Sequence, residues 1–271
     1  PNGSADINDF QAAGGVPRVI ETLLEGGFLH SSVLTVGGEG LARYAQRPDI
    51  AGSELKWQPL DSACADTSII RSFSDPFSKE GGLRVMDGNL GRGIAKLSAL
   101  KEPDAVIRAP AKVFESQTEL IEAFQQKKLN CDFIAVVRFQ GPRANGMPEL
   151  HKLIPILSSA MESGHQVALI TDGRLSGASG KVPAAIHLCP EAAVGGPISR
   201  IREGDWIIMN LQTGELQVEV SEDELSAREA RVNGFNDEAI GFGRELFSPL
   251  RHQLSSAEEG ASMFKLIQER V

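Results

Sequence analysis

The sequence predicts a mixed α/β fold of the α+β kind, in which a helical first part precedes a strand-rich second part. A helix is expected from Pro17 to Glu25, where apolar residues recur at helical spacing and Gly26-Gly27 follows as a stop. After about residue 78, short β-rich runs replace this pattern, and two S-x-x-E motifs interrupt them. The change of period along the chain therefore predicts both classes of secondary structure.

Apolar and β-branched residues concentrate in six short runs, each of which is predicted to be a strand. They are Ala105–Ile107, Phe133–Phe139, Gln166–Thr171, Ile186–Leu188, Trp206–Leu211 and Leu216–Val220. The last two should form a hairpin, because Gly214 between them can take the positive φ of a tight connection. Ser116 and Ser221 are each expected to cap a helix, with the glutamate three residues later reaching back to the serine N–H.

Weak periodicity between Gly37 and Ser78 indicates a connection between domains, with the boundary near its end. We expect residues 1–70 to be the end of an N-terminal domain and residues 71–245 to be the strand-rich domain. Residues 246–271 should form a C-terminal helical tail. The chain does not begin with Met, and its first residues are expected to come from the middle of a longer sequence.

Composition excludes several classes of partner for this chain of 271 residues. It has 27 basic and 36 acidic residues, a net charge of −9, and no run of Lys or Arg, so nucleic acid and anionic membranes are poor partners. A small anionic substrate stays open, because a few basic groups and N–H donors in a cleft can override the overall sign. The apolar stretches are far shorter than the roughly 20 residues that span a bilayer, and no signal peptide begins the chain. We expect a cytoplasmic protein.

The three cysteines, Cys64, Cys131 and Cys189, lie far apart without a CxxC motif. Buried thiols are the simpler interpretation. A cluster held by these three cysteines is the alternative, since three can bind an iron–sulfur cluster with one open iron, but their spacing does not favour it. The five histidines have no H-x-x-x-H spacing and are interpreted as structural. They are His30, His151, His165, His187 and His252.

A loop with three glycines and two serines follows the predicted strand that ends at Thr171. In the run from Ile170 to Pro183, glycines at 173, 177 and 180 remove the Cβ atoms that would block a ligand. Backbone N–H groups in such a loop can stabilise a carboxylate, an enolate or a phosphate. Composition alone leaves a plain structural turn equally open.

Glu149 stands in a second loop, Gly141–His151, directly after a predicted strand and where a helix should begin. Its carboxylate has two interpretations: a favourable interaction with the helix dipole, or a ligand for Mg²⁺, which takes one or two carboxylates from a protein. A third glycine-rich segment, Met86–Gly93, is either a bulged turn or a loop that faces substrate. The polar residues of Asn2–Gly15 either line a cleft or cap the first helix.

The motifs TDGRLSGASGKVPAAIH and GPRANGMPELHKL resemble the two C-terminal motifs of the iron–sulfur-dependent dehydratases of sugar acids and dihydroxy acids. PNGSADINDFQAAGGVP, MDGNLGRGIAK, APAKVFESQ and TGELQVEV extend the resemblance along the whole chain. They favour the branch that acts on 6-phosphogluconate. Pro148 before Glu149, and Leu175 where the dihydroxy-acid branch tends to have Phe, agree with that choice.

The resemblance implies a hydro-lyase whose active site lies between a cluster-bearing N-terminal domain and a β-rich, barrel-like C-terminal domain with flanking helices. No C-D-K-x-x-P-like motif occurs here, so we expect no cluster ligand in this chain and no activity from the chain alone. By resemblance, Ser176 is the base that takes the C2 proton, while the cluster iron acts as Lewis acid on the C3 hydroxyl. Glu149 is the expected Mg²⁺ ligand.

The resemblance also suggests substrate contacts, on weaker grounds. Arg174, Ser179, Gly180, Lys181 and Asn145 are the residues expected to contact a small phosphorylated sugar acid. The expected protein partners are the chain's own N-terminal domain and a second copy in a homodimer. Two alternatives stay open: a dehydratase of dihydroxy acids or other sugar acids, and a non-catalytic domain that serves assembly.

Overall fold

A computed structural model of the chain describes residues 5–61, 66–175, 181–232 and 244–264. The chain divides into two compact units, residues 1–81 and 82–271, which are described separately. Within the described ranges, no helix is both long enough and apolar enough to cross a bilayer.

The first unit contains two helices followed by two small hairpins. These elements are α1 (Ile7–Ala12), α2 (Gly15–Glu25), β1 (Leu34–Thr35), β2 (Gly38–Glu39), β3 (Arg47–Ala51) and β4 (Glu54–Gln58). Asp6 caps α1, a helix that was not predicted, through the N–H groups of Asn8 and Asp9. Gly14 precedes α2 without a side-chain cap, so the interpretation that polar residues of the opening segment cap the predicted helix was wrong. The predicted helix is α2, which ends at the predicted glycines. The hairpins were not predicted, because their strands are exposed and bury no alternating apolar face.

The second unit is a closed barrel of eight strands with flanking helices, which confirms the mixed fold and its barrel-like domain. The strands are β5 (Leu83–Gly88), β6 (Gly91–Lys96), β7 (Val106–Phe114), β8 (Phe133–Val137), β9 (Val167–Thr171), β10 (Ala184–Cys189), β11 (Trp206–Asn210) and β12 (Glu215–Val218). Their order around the barrel is β10-β6-β5-β12-β11-β7-β8-β9. The helices are α3 (Gln117–Gln125), α4 (Pro142–Asn145), α5 (Ile154–Glu162), α6 (Glu222–Ala227) and α7 (Arg244–Gln253).

The barrel has two halves that differ in strand direction. Strands β7, β8, β9 and β10 run parallel to one another and form the parallel half. The hairpins β5–β6 and β11–β12 form the antiparallel half. One apolar cluster fills the barrel, and a second one, which includes Phe133 and Leu157, lies on the outer side of the parallel half. Every residue of β8 and β9 is buried, as expected for strands covered on both faces.

All six predicted strands are present, but β5 and β6 were missed, and β7 is longer than predicted. Ser116 and Ser221 cap α3 and α6 as predicted. The glutamate half of both capping boxes was wrong. Glu119 accepts a bond from the N–H of Glu115, 2.7 Å away, and Glu224 pairs with the Arg228 guanidinium.

The glycine-rich segment Met86–Gly93 forms the β5–β6 hairpin, so the turn interpretation describes its structure. Gly88 is required there, because a Cβ would lie 2.0 Å from the carbonyl oxygen of Leu216. The Asn89 side chain accepts a bond from the Val218 N–H and donates one to the Val218 carbonyl, at 2.8 and 2.9 Å. Asn89 thereby joins the hairpin to β12, with which β5 shares the single register pair Asp87 and Glu215.

Candidate active site

The two sequence motifs meet at one edge of the barrel. Because β8 and β9 are parallel neighbours, their carboxyl ends lie side by side, and each motif begins where one of them ends. A β-bridge joins Glu149 of the first loop to Arg174 of the second. The N–H of Leu150 donates to the Arg174 carbonyl at 3.3 Å, and Arg174 Nε donates to the Met147 carbonyl at 2.7 Å. The backbone thus fixes both loops relative to each other.

The loop after β8 is held on its other side as well. Gln117, in the first turn of α3, donates through Nε2 to the carbonyl oxygen of Glu149 at 3.3 Å. Asn145 ends the short helix α4 and donates through Nδ2 to Gln140 Oε1 at 3.2 Å. Glu149 is half-buried, and Arg174 and Lys181 are exposed. Asn145, Glu149 and Arg174 therefore lie in one set of connected loops.

Three of the predicted site residues lie outside the described part of the chain, which stops at Leu175 and resumes at Lys181. These are Ser176, the predicted base, and Ser179 and Gly180, two of the predicted substrate contacts. Their roles stay predictions. The same holds for the roles of the described residues, because the geometry places their backbone and does not test what they bind.

The buried carboxylate of Asp172 connects the loops of the candidate site by accepting hydrogen bonds from their backbone. Its oxygens accept bonds from the N–H groups of Phe139, Gln140 and Ala192, at 3.2, 2.8 and 2.9 Å. These donors belong to the loops after β8 and β10, whereas Asp172 itself follows β9. Burial raises the pKa of Asp172 above its ordinary value, and the backbone hydrogen bonds oppose that shift.

Glu191 is a second buried carboxylate in the same place. It accepts two contacts from the N–H of Arg143, at 3.0 and 3.2 Å, near the start of α4. A Cβ on Gly141 would lie 1.9 Å from a Glu191 carboxylate oxygen, so only glycine allows this approach. Burial, together with the neighbouring charge of Asp172, raises the pKa of Glu191 to about 7.

His187 lies beside the loop that follows β9. Its N–H donates to the Gly173 carbonyl at 2.9 Å, and its backbone has φ 57°, within an irregularity of β10. Burial, and then the positive charge of Arg174, lower the pKa of the imidazole. A neutral His187 therefore lies next to Arg174.

The described residues do not fit an iron–sulfur cluster, because no three Cys, His, Asp or Glu side chains among them converge as metal ligands would. Burial raises the pKa of the Cys189 thiol, which disfavours the thiolate that a cluster needs. Cys131 lies against the outer apolar cluster, and Cys64 lies outside the described residues. Glu149 offers a single carboxylate, which suits Mg²⁺ as one ligand among several.

Sequence reasoning did not select Asp172 or Glu191. Asp172 lies in the motif after β9, where the pattern assigns it no role, and no motif includes Glu191. Each is a carboxylate placed at the carboxyl end of a buried parallel strand, which is the one local signal that could have identified them. Their common function as acceptors for neighbouring loops depends on contacts between distant parts of the chain.

Comparisons with known proteins agree with this arrangement. Residues 68–261 match the family model described as dihydroxy-acid/6-phosphogluconate dehydratase C-terminal, and residues 1–44 match the corresponding N-terminal model. The phosphogluconate dehydratase of Escherichia coli (strain K12) is 52% identical over 262 residues, covering 97% of this chain and 43% of the relative. That of Pseudomonas aeruginosa is 52% identical over 264 residues, with the same coverages.

A more distant relative is the dihydroxy-acid dehydratase of Metallosphaera sedula, which is 37% identical over 232 residues, 84% of this chain and 39% of the relative. The chain thus spans less than half the length of these relatives. The two family models together cover most of the sequence, and the C-terminal model spans the barrel strands. The chain belongs to the dihydroxy-acid/6-phosphogluconate dehydratase family.

Proposed function

We propose that this chain supplies one side of the active site of a hydro-lyase that dehydrates 6-phospho-D-gluconate to 2-keto-3-deoxy-6-phosphogluconate, a step of the Entner–Doudoroff pathway. The observation that carries the proposal is the backbone bridge between Glu149 and Arg174, which unites the two family motifs at the carboxyl ends of β8 and β9. Identity favours this branch, at 52% to two phosphogluconate dehydratases against 37% to the dihydroxy-acid dehydratase.

Dehydration removes a proton from C2 and hydroxide from C3 of the sugar acid, and the enol formed tautomerises to the 2-keto acid. Ser176 is the proposed base for the C2 proton. A serine hydroxyl is too weakly acidic to act unaided, so nearby cations and aimed N–H donors must stabilise its alkoxide. Arg174 and Lys181 are proposed to bind the negative charges of the substrate, assisted by Asn145, Ser179 and Gly180.

The proposal includes two inorganic groups. Glu149 would be one ligand of a Mg²⁺ ion, which supplies positive charge next to the reacting oxygens when bound. The iron–sulfur cluster expected from the family would be held by residues outside this chain. The protein partners proposed are the N-terminal domain that completes the site and a second copy in a homodimer, in the cytoplasm.

The test is 2-keto acid formation from 6-phosphogluconate under anaerobic conditions. The complete protein that carries this chain, reconstituted with cluster and Mg²⁺, is compared with its Ser176→Ala variant and with the isolated chain. We expect turnover by the complete protein, a loss of at least about 1,000-fold in the variant, and none from the isolated chain.

Each alternative predicts a different result from the same assay. Turnover of a branched dihydroxy acid, with 6-phosphogluconate ignored, would replace the proposed substrate with that of the sister branch. A complete protein without dehydratase activity, in which this chain still binds its N-terminal partner, would favour a domain for assembly.

A further inference from the structure

We propose that Asp172 and Glu191 form a buried carboxyl pair whose role is to position the loops of the active site. The inference rests on the proposed function for the chemistry, since it assigns positioning residues to that reaction. Neither residue is proposed to touch substrate. Both act through the backbone of the loops that carry Glu149, Arg174 and Ser176.

Asp172 connects its own segment of chain to two others, which contain Gln140 and Ala192. Its Oδ1 accepts from the N–H of Gln140, and its Oδ2 accepts from the N–H groups of both Phe139 and Ala192. The loop with Glu149 begins at Gln140, and the loop with Ser176 begins at Asp172 itself. One fully buried side chain therefore fixes where both motif loops leave the barrel.

Glu191 fixes the next part of the same loop. It lies one residue before Ala192, which donates to Asp172, and it accepts from the N–H of Arg143 at the beginning of α4. The Glu191 carboxylate packs directly on Gly141, where a Cβ would lie 1.9 Å from a carboxylate oxygen. The two carboxyl groups consequently hold the chain directly before the GPRANG segment, at Phe139 and Gln140, and within it, at Arg143, before it reaches Glu149.

The chemistry of these contacts is unusual for buried acids. Among the described residues, neither carboxylate forms an ion pair, and both accept hydrogen bonds from backbone N–H groups. A buried carboxylate without a cation is costly, so it stabilises a fold only when several aimed donors satisfy it. Asp172 joins the loop after β9 to those after β8 and β10, and Glu191 joins the loop after β10 to the one after β8. Both groups therefore serve loop geometry rather than overall stability.

Asp172→Asn in the complete, cluster-loaded protein is the decisive change. Both oxygens of Asp172 are acceptors, so the amide NH₂ of asparagine must face at least one N–H donor and push a loop away. We expect kcat with 6-phosphogluconate to fall about 100-fold, because displacements near 1 Å in a catalytic loop have effects of that size. KM should change by less than about threefold, because the substrate-binding groups stay present.

Amide hydrogen exchange of the same variant supplies a readout that does not depend on substrate. The N–H groups of Phe139, Gln140 and Ala192 should lose protection, while those of β5 and β6 keep it. If the protein does not turn over 6-phosphogluconate at all, the proposed function fails, yet this measurement still tests the positioning role.

Two further variants make the test specific. Glu191→Gln keeps one acceptor oxygen for the Arg143 N–H, so we expect a smaller loss of kcat, about tenfold. Asp205→Asn is the matched control, because Asp205 is a largely buried carboxylate that pairs with the buried Arg228 and contacts none of the three loops. It should lower the melting temperature while kcat stays within about twofold.

Two outcomes would overturn the inference. One is an Asp172→Asn protein that has parental kcat and parental protection of the loop N–H groups. The other is an Asp205→Asn protein whose kcat falls as far as that of Asp172→Asn, since the losses would then follow stability. If Asp172→Asn does not fold, a Glu191→Gln protein with parental kcat and exchange would have the same consequence.

Discussion

Carboxyl groups in the parallel half of the barrel and at the edge of the antiparallel half have pKa values shifted in opposite directions. At the carboxyl ends of the parallel strands, Asp172 and Glu191 are buried, accept backbone N–H groups, and have raised pKa values. On the outer face where β7 meets β11, Glu219 is in contact with solvent and binds the Arg108 guanidinium, which lowers the pKa of the carboxyl group.

The two environments differ because helices cover the parallel strands, whereas the outer face of the antiparallel strands is accessible to solvent. An apolar layer that includes residues of α3 and α5 covers β8 and β9, so polar groups can occur only where these strands end. Strands β11 and β12 instead alternate between buried and accessible residues, and Glu219, directly after β12, pairs with Arg108 of β7 on the accessible side. A strand covered on both faces therefore has its polar groups only at its ends, whereas an uncovered strand has solvent-accessible residues along its length.

The largest difference between the halves should appear on truncating an aromatic residue in each. Phe133→Ala removes a fully buried ring from the covered half and should lower the free energy of unfolding by about 3–5 kcal/mol. Trp206→Ala, at a position 43% exposed in the uncovered half, should cost about 1 kcal/mol, mainly its contact with Arg108. Denaturant titrations followed by circular dichroism measure both, and equal losses would contradict the difference in cover.

The next largest loss of stability is expected at Gly141, where the Glu191 side chain closely approaches the loop after β8. Gly141→Ala should destabilise the protein by about 2 kcal/mol and reduce dehydratase activity, because the new Cβ meets a carboxylate oxygen. Gly81→Ala is the control: its Cβ meets nothing within 4 Å, and it should be neutral. Thermal melts and turnover of both variants test this, and a stable, active Gly141→Ala protein would show that the approach is not required.

The pH dependence of stability should also distinguish the halves. Since the pKa of Glu191 rises from 4.5 to about 7 on folding, the folded state holds an extra proton between these values. The free energy of unfolding therefore falls as pH rises through that window, by about 2 kcal/mol, and is constant above it. Glu191→Gln should remove this decline, as measured by denaturation at pH 5 and pH 8.

Glu219, on the uncovered face, is a control residue because its pKa shift has the opposite sign to that of Glu191. The pKa of Glu219 is lowered, so its contribution is lost as pH falls, and Glu219→Gln should leave the decline between pH 5 and pH 8 intact. The same slope in Glu191→Gln and in the parent would refute the assignment of the proton to Glu191.

The smallest effect is expected for the exposed ion pair itself. Arg108→Ala removes a bidentate contact with Glu219 and the stacking on Trp206, and should lower the melting temperature only slightly, because solvent screens an exposed ion pair. Arg108→Lys should cost less. Melts at low and high salt measure both changes, and a loss of several kcal/mol would mean that the face is covered in the folded protein.

The sequence was informative where local pattern and tertiary structure agree. The apolar runs of β8 and β9, and the hairpin turn at Gly214, could be predicted because burial and turn chemistry leave a signature in adjacent residues. Strands β5 and β6 were missed because their glycines read as a loop. Those glycines are present because other backbone approaches them, as the carbonyl of Leu216 approaches Gly88, and a single sequence does not reveal such contacts.

The site was partly predictable for the same reason. Glu149 and Arg174 follow adjacent parallel strands, so their proximity is consistent with the motifs that drew attention to them. Asp172 and Glu191 were missed, since a single acid after a strand resembles any capping or turn residue. Their importance depends on N–H donors that lie 20 to 48 residues away along the chain.

Asn89 joins the two hairpins of the antiparallel half of the barrel through its side chain. Where the two hairpins of the antiparallel half meet, an amide side chain supplies the donor and the acceptor that another pair of backbone groups would supply elsewhere. An aspartate there would keep the acceptor and lose the donor. The Val218 carbonyl would then lack its donor where the two hairpins meet, and unpaired backbone groups of a strand are the groups through which protein chains pair with one another and aggregate.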